Sequence, residues 1–254
     1  MLITCRFFAR TLSNEETIQV ILPDRLRKNT GEKAPVLYLL HGLLGNYTDW
    51  NRYTALERYA KKYNIAIVMA SAQNSFYHNL PGGKNYFDYI ARELPEYVCS
   101  ILPISEKKED NFIAGLSMGG YGALYIALKN LDKFSHVGCF SGAVDFYESI
   151  RSGKYQDLNP LPTDENPFEV FDDIDESSDL FFILKNLNRK KLPPIFISCG
   201  KQDYIYDEFC KMKNTLTKLN VKFFSQEGDG NHDWDYWDKQ IQDFLEWLPI
   251  DKMN

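Results

Sequence analysis

A serine set between glycines is the residue of this chain best placed to do chemistry. The stretch Asn111-Phe-Ile-Ala-Gly-Leu-Ser117-Met-Gly-Gly-Tyr-Gly122 runs from an apolar strand pattern into an apolar helical one, Tyr121 to Leu128. A strand that turns straight into a helix forces the residue at the apex into a strained backbone conformation. Gly115 and Gly119 remove two side chains that would strike the neighbouring strand and helix. The Ser117 hydroxyl is then held above the strand end, within reach of a base and a substrate carbonyl. Gly-x-Ser-x-Gly alone is a weak pattern that also marks ordinary glycine-rich turns. The strand before it and the helix after it make it a nucleophile elbow.

A serine hydroxyl needs a base near neutral pH, and histidine is the side chain whose ordinary pKa suits that task. The chain has four histidines. His41 ends a strand in a His-Gly turn whose value is backbone geometry. His78 sits in a loop without an assigned part, and His136 begins a strand and reads as structural. His232 lies in Gly228-Asp-Gly-Asn-His-Asp-Trp234, between the last strand and the last helix. In open α/β sheets, ligands gather beyond the carboxyl ends of the strands, so this loop brings an imidazole to the serine. The base in turn needs an acid to orient it and stabilise its charged form. Asp203 follows the strand Ile195–Cys199 through Gly200-Lys-Gln, again at a carboxyl end. Asp207 and Glu208 read as a helix start, where acids favour the positive end of the dipole. Asp145, after the preceding strand, is the rival acid.

A tetrahedral intermediate at Ser117 would need donors for its oxyanion. The Met118 amide heads the helix after the serine, with the helix dipole behind it. A second donor is expected from the loop after Val36–Leu40. There His41-Gly42-Leu43 resembles the His-Gly oxyanion loop of esterases, which assigns the Leu43 amide, with Gly42 permitting the close approach.

The elements that must position these groups follow from periodicity. Leu2–Phe8 and Thr17–Leu22 read as an N-terminal antiparallel hairpin. Val36–Leu40, Ile65–Ala70, Asn111–Leu116, His136–Phe140 and Ile195–Cys199 are continuous apolar runs, the kind buried on both faces, and Val221–Gln226 follows as the last strand. Helical stretches are expected at Thr48–Tyr63, at Tyr86–Leu102 with a kink or restart at Pro95, after the elbow, and at Glu208–Leu219 and Trp234–Leu248. Ser71–Asn85 reads as loop. The fold class is therefore α/β: a mostly parallel central sheet with helices on both faces and an antiparallel hairpin at its start. Asp145 to Lys191 breaks the rhythm. It is acidic, carries Pro160, Pro162 and Pro167, and has only short helical pieces, so it reads as a short cap-like insertion within one domain spanning residues 1–254. Trp50, Phe76, Tyr77 and Trp234 fall on loops that should ring the serine and are candidates to line a substrate pocket.

Composition narrows the partners. A net charge of -6 without a continuous basic stripe argues against nucleic acid or an anionic membrane. No apolar run approaches membrane-spanning length, and Met1-Leu-Ile-Thr-Cys-Arg6 meets a charge too early for a signal peptide. Thr4-Cys5, preceded by Leu2, faintly resembles a lipoprotein cleavage site but lacks the signal segment. The five cysteines are scattered, odd in number and without metal-ligand spacing, so a reducing cytoplasm is the expected setting. A homo-oligomer stays open. The insertion has far more acids than bases, among them Asp172, Asp173, Asp175 and Glu176; they read first as a solvated charged face, and a selective role for them would disfavour strongly anionic substrates.

Taken together, Leu39-Leu-His-Gly-Leu43, Phe112-Ile-Ala-Gly-Leu-Ser-Met-Gly-Gly-Tyr-Gly122, Ser198-Cys-Gly-Lys-Gln-Asp203 and His232-Asp-Trp-Asp-Tyr-Trp237 resemble the esterase D-like α/β-hydrolases, most closely the bacterial tributyrin esterases. The order Ser117, Asp203, His232 matches theirs. The resemblance spans nearly the whole chain and is weakest at the insertion. It implies a serine carboxylesterase for short acyl esters, with no metal and no organic cofactor. Relatives in that group include S-formylglutathione hydrolases, feruloyl and acetyl-xylan esterases and mycolyltransferases. S-formylglutathione hydrolases usually carry Gly-His-Ser-Met-Gly-Gly-His at the elbow, where this chain has Leu116 and Tyr121. An acyltransferase is a second enzymatic reading. A catalytically silent binding module of the same fold is the non-enzymatic one, and the presence of Ser117, Asp203 and His232 together speaks against it.

Overall fold

The apolar runs assemble side by side because each is flanked by a helix that can cover it. A computed structural model describes residues 1–24, 31, 33–154, 168–171 and 173–250. β1 (Leu2–Ala9) and β2 (Asn14–Ile21) form the antiparallel hairpin, and β2 pairs antiparallel with β4 (Ala66–Ala70). From there the sheet is parallel: β4, β3 (Val36–Leu40), then β7 (Asn111–Leu116), β8 (His136–Phe140), β9 (Ile195–Gly200) and β10 (Phe223–Gly228). A separate two-residue hairpin, β5 (Asn79–Leu80) with β6 (Lys84–Asn85), stands inside the stretch expected to be loop.

Strand residues alternate between two cores. Val36, Tyr38 and Leu40 face a core completed by α4 (Leu94–Ile101), α5 (Met118–Lys129), α7 (Leu180–Asn186) and α8 (Tyr206–Lys218). Leu37 and Leu39 face the other, covered by α1 (Asp49–Tyr53), α2 (Leu56–Lys62) and α9 (Trp234–Trp247). Both faces of the central strands are therefore dry, which is why those strands read as unbroken apolar runs. No described helix is long and apolar enough to cross a membrane.

Two helices depart from their sequence patterns for local reasons. The helix expected over Thr48–Tyr63 breaks between α1 and α2. Thr54 is extended, its hydroxyl takes the Trp50 carbonyl (2.5 Å), and the Ala55 amide turns to Asp238 on α9 (3.3 Å). Pro95 has a different effect. Tyr86–Asp88 (α3), a π-helical turn at Tyr89–Glu93 and α4 form one run through it. Proline cannot donate to the carbonyl four residues back, that of Ala91, and the Lys133 ammonium takes that oxygen instead at 2.6 Å.

The described parts of residues 145–191 are α6 (Phe146–Arg151), short 3-10 turns and α7. Pro160, Pro162, Pro167 and Asp172 lie outside the described residues. The stretch is tied to α8 at its start: Glu208 accepts from the Asp145 amide (3.0 Å) and the Lys154 ammonium (2.9 Å), and Lys211 pairs with the Asp145 carboxylate (2.6 Å).

Candidate active site

β7 ends in the middle of the sheet, between β3 and β8, with every residue buried. Ser117 follows at φ 52° and ψ −119° and caps α5. That left-handed conformation is costly for a residue with a Cβ, so its surroundings must hold it. Its amide donates to the Phe140 carbonyl (2.9 Å), and its own carbonyl accepts from the Tyr121 and Ala143 amides (3.1 and 3.2 Å). The flanking glycines are steric requirements. A Cβ on Gly119 would lie 2.6 Å from the Leu40 and His41 carbonyl oxygens, and one on Gly115 would strike the Gly119 carbonyl.

His232 meets the serine from the loop between β10 and α9. Its Nε2 is 3.0 Å from Ser117 Oγ, and its Nδ1 lies 2.9 and 3.0 Å from the two carboxylate oxygens of Asp203. The loops carrying the acid and the imidazole are laced together. The Lys201 amide donates to Gly228 O, Gln202 N to Gly230 O, and Gly230 N to the Gln202 side chain (2.8, 3.1 and 2.8 Å). Burial alone would raise the Asp203 pKa. The hydrogen bond and charge of His232, with the Ile205 amide (3.1 Å), outweigh it and hold the carboxyl below its ordinary value. An ionised Asp203 accepts from Nδ1–H and leaves Nε2 bare, able to accept the serine proton. Trp237 meets the imidazole edge-on at 4.9 Å, and Tyr204, 70% exposed, covers it at 4.6 Å.

The two amides expected to serve an oxyanion have no protein acceptor among the described residues. Met118 N–H opens the twelve-residue helix α5. Leu43 N–H sits in a loop that runs against the serine: a Cβ on Gly42 would come 3.5 Å from Ser117 Cβ. This loop is clamped to the one after β4. His41 Nδ1–H donates to Gly42 O (2.7 Å) and its Nε2 accepts from the Ala72 amide (2.8 Å). Leu44 N–H reaches Asn74 Oδ1 (2.9 Å), and the Tyr77 hydroxyl donates to His41 O (2.9 Å). Burial lowers the His41 pKa, in keeping with a ring nitrogen that must accept. Among the described residues, no group of three or more His, Cys, Asp or Glu side chains is placed to hold a metal ion.

The structure brings the Ser117, His232 and Asp203 side chains into hydrogen-bonding distance through the one imidazole, at the strand ends. Residues 9–248 match the family of putative esterases. The chain belongs to that family. This esterase is 32% identical to an acetyl esterase of Caldicellulosiruptor saccharolyticus over 256 positions, covering 95% of this chain and 96% of the relative. It superposes on the fluorophosphonate-binding serine hydrolase F of Staphylococcus aureus, solved with substrate bound, with a TM-score of 0.86 at 32% identity over 98% of both chains. An S-formylglutathione hydrolase of Staphylococcus aureus, solved as apoenzyme, gives a TM-score of 0.84 at 32% identity, also over 98% of both chains. The esterase accordingly has the α/β-hydrolase fold, in its esterase D-like form, as the resemblance of the motifs implied.

The four rings placed around the serine by sequence fall in different settings. Trp50 and Tyr77 are enclosed, about 1% and 0% exposed, with Trp50 Nε1–H on Leu40 O (2.9 Å) and the Tyr77 hydroxyl on His41 O; they offer no free surface to a ligand in this conformation. Phe76 is also buried, stacked on Phe146 at 3.8 Å and edge-on to Tyr121 at 5.9 Å. Trp234 is partly exposed, stacked on Tyr53 and edge-on to Trp237, the residue against His232. The rival acid Asp145 is engaged by Lys211 on α8. Sequence reading missed Asn74, Tyr204 and the His41 side chain as parts of the site's frame. For His41 a signal existed, since an imidazole ending a fully buried strand must find two partners.

The other histidines are held by packing. His78 Nε2 meets the Tyr121 hydroxyl (2.9 Å), which donates to Ser178 O (2.7 Å); His136 packs edge-on against Trp247. Burial, aided by Lys129, pushes the His78 pKa down to about 3; burial, aided by Lys222, pushes that of His136 down to about 4. An unfolded chain takes up protons at these rings below about pH 6.5, while the folded one does so only near its lowered values. Stability should therefore be full above pH 6.5 and fall as the pH drops toward 4. Urea midpoints across pH 4–7 check this, and the fall should be shallower in His78→Gln. An unchanged slope in that variant would remove His78 from the account.

Proposed function

We propose that this esterase is a serine carboxylesterase for short acyl esters, with Ser117 as nucleophile, His232 as general base and acid, and Asp203 as the orienting acid. The observation that carries this reading is the relay itself: one imidazole within 3.0 Å of both Ser117 Oγ and the buried Asp203 carboxylate. In the first half-reaction Ser117 Oγ attacks the ester carbonyl as its proton passes to His232 Nε2. The resulting oxyanion is received by the Leu43 and Met118 amides, each contributing on the order of 3–4 kcal/mol of transition-state stabilisation. His232 then returns the proton to the departing alcohol. In the second half water follows the same route and releases the acid from Ser117. Residues 145–191 act as a cap-like insertion within a single hydrolase domain.

Two things support the short acyl group. The curated relative of 32% identity is an acetyl esterase. Tyr121, one helical turn past Ser117, packs with the rings of Phe76, Phe146 and Phe171, and we read this buried cluster as the end of the acyl well. Each methylene of an acyl chain contributes up to about 0.8 kcal/mol where a wall exists to meet it, and nothing beyond the end of the well. Efficiency is therefore expected to peak at acetyl to butyryl esters and decline by octanoyl. A series of p-nitrophenyl esters with two to twelve acyl carbons, each below its solubility limit, measures this. Values of kcat/KM still rising at decanoyl would defeat the short-acyl reading. Hydrolysis of S-formylglutathione in preference to every oxygen ester would select the thioesterase reading, which the S-formylglutathione hydrolase neighbour favours and the Leu116 and Tyr121 departures do not.

A further inference from the structure

A groove of about 460 Å3 opens beside the loop that carries the Leu43 amide. Leu44, Leu80 and Val170 give it apolar walls, and Asn74, Ser75 and Lys84 are among its polar lining. Among the described residues its lining includes no acid, although the chain carries a net charge of -6. Of the polar groups, Asn74 and Lys84 are left as donors. Asn74 Oδ1 is taken by the Leu44 amide (2.9 Å), which leaves the Asn74 NH2 group for a ligand. Ser75 is buried, and its Oγ accepts from the Tyr77 amide (3.1 Å), so it shapes the floor and is not counted as a donor. Lys84 makes no ion pair among the described residues.

The position of Lys84 is built. It pairs with Leu80 across the β5–β6 turn, whose Gly82 and Gly83 take φ values of 75° and 82° that the tight reversal requires. The hairpin is pinned at its base by reciprocal bonds between Asn79 and Asp88 (2.7 and 3.1 Å), and Arg92 takes the other Asp88 oxygen (3.5 Å). Asp49, on the oxyanion-loop side, is engaged by the Asn46 amide (3.1 Å). An ammonium without an ion pair among the described residues and an amide NH2 group beside an apolar slot form a receptor for a carboxylate on a short carbon chain.

We propose that this groove is a substrate subsite, and that the preferred substrates are small esters or thioesters bearing a carboxylate a few atoms from the reacting carbonyl, received by Lys84. The proposal rests on the esterase reading above and runs against a selective role for the acids of the insertion. The carboxylate can belong to the acyl group or to the leaving group, and two substrate pairs separate these. One is p-nitrophenyl hemiglutarate against p-nitrophenyl methyl glutarate; the other is 4-acetoxybenzoate against its methyl ester. Within each pair only the charge and one methyl group differ.

In at least one pair the wild-type enzyme should favour the carboxylate by about tenfold in kcat/KM, mostly through KM, with the preference shrinking as salt is raised. Lys84→Met should bring that ratio close to one, and Lys84→Glu should invert it. Ratios near one in both pairs for the wild type, or a preference that survives Lys84→Met, would overturn the proposal. Hydrolysis of p-nitrophenyl acetate separates this failure from the larger one: without it the esterase reading falls, and the subsite with it.

Discussion

Replacing Ser117 by alanine is expected to lower kcat by about a millionfold while the protein stays folded. The strain at this residue belongs to the backbone, φ 52°, and is held by bonds from the Ser117 amide and to its carbonyl, none of which the substitution touches. Among the described residues the hydroxyl itself meets only His232 Nε2, so its loss should change stability by less than about 1 kcal/mol. His232→Ala should cost about as much activity, because groups that move one proton between them act as a unit and their losses do not add. The double variant should thus be scarcely worse than either single one. Turnover of p-nitrophenyl acetate, with urea unfolding as the control, makes the measurement. A folded Ser117→Ala enzyme retaining more than about one per cent of kcat would require another nucleophile. Activity surviving in His232→Ala but lost in His78→Ala would move the base, against the buried place of His78 under Tyr121.

What could be read in the chain was what local sterics and strand order impose. The elbow was legible because only glycine fits at positions 115 and 119 once a strand turns into a helix there, and the carbonyls crowding Gly119 are those of the neighbouring strand end. Asp203 and His232 were legible because each follows a strand, β9 fully buried and β10 at the sheet edge, on the side where the loops converge. The break at Thr54 was not, since half of it is a bond from Ala55 to Asp238, 183 residues away. Nor could a pattern of aromatic residues tell a pocket wall from a buried strut. Trp50 and Phe76 look alike in sequence, but Trp50 lies in α1 against Phe140 and Trp234, and Phe76 stacks on Phe146, contacts between segments far apart in the chain. Pro95 gave the place of an irregularity but not its form, which depends on Lys133 arriving from after α5 to take the orphaned carbonyl.

Asp203→Asn should leave a folded enzyme whose kcat falls by about ten-thousandfold. The buried carboxylate can only accept, so it fixes Nδ1 as the protonated nitrogen of His232 and leaves Nε2 free toward the serine. An asparagine amide in the same place can donate to Nδ1. The imidazole then carries its proton on Nε2, points it at Ser117 Oγ and cannot take another. The amide also lacks the negative charge that stabilises the imidazolium formed during acylation. KM should change far less than kcat, because the acid lies behind the imidazole, away from the substrate. Asp145→Asn is the contrasting variant. Its carboxylate is paired with a half-exposed Lys211, an interaction in the range of about 0–1 kcal/mol, and the change should touch the attachment of residues 145–191 and leave the relay as it is. Measuring kcat for both on one short-chain ester decides between them. Near wild-type turnover in Asp203→Asn with collapse in Asp145→Asn would hand the orienting role to the other acid, and would mean that the 2.9 Å contact between Asp203 and His232 does not govern the proton's path.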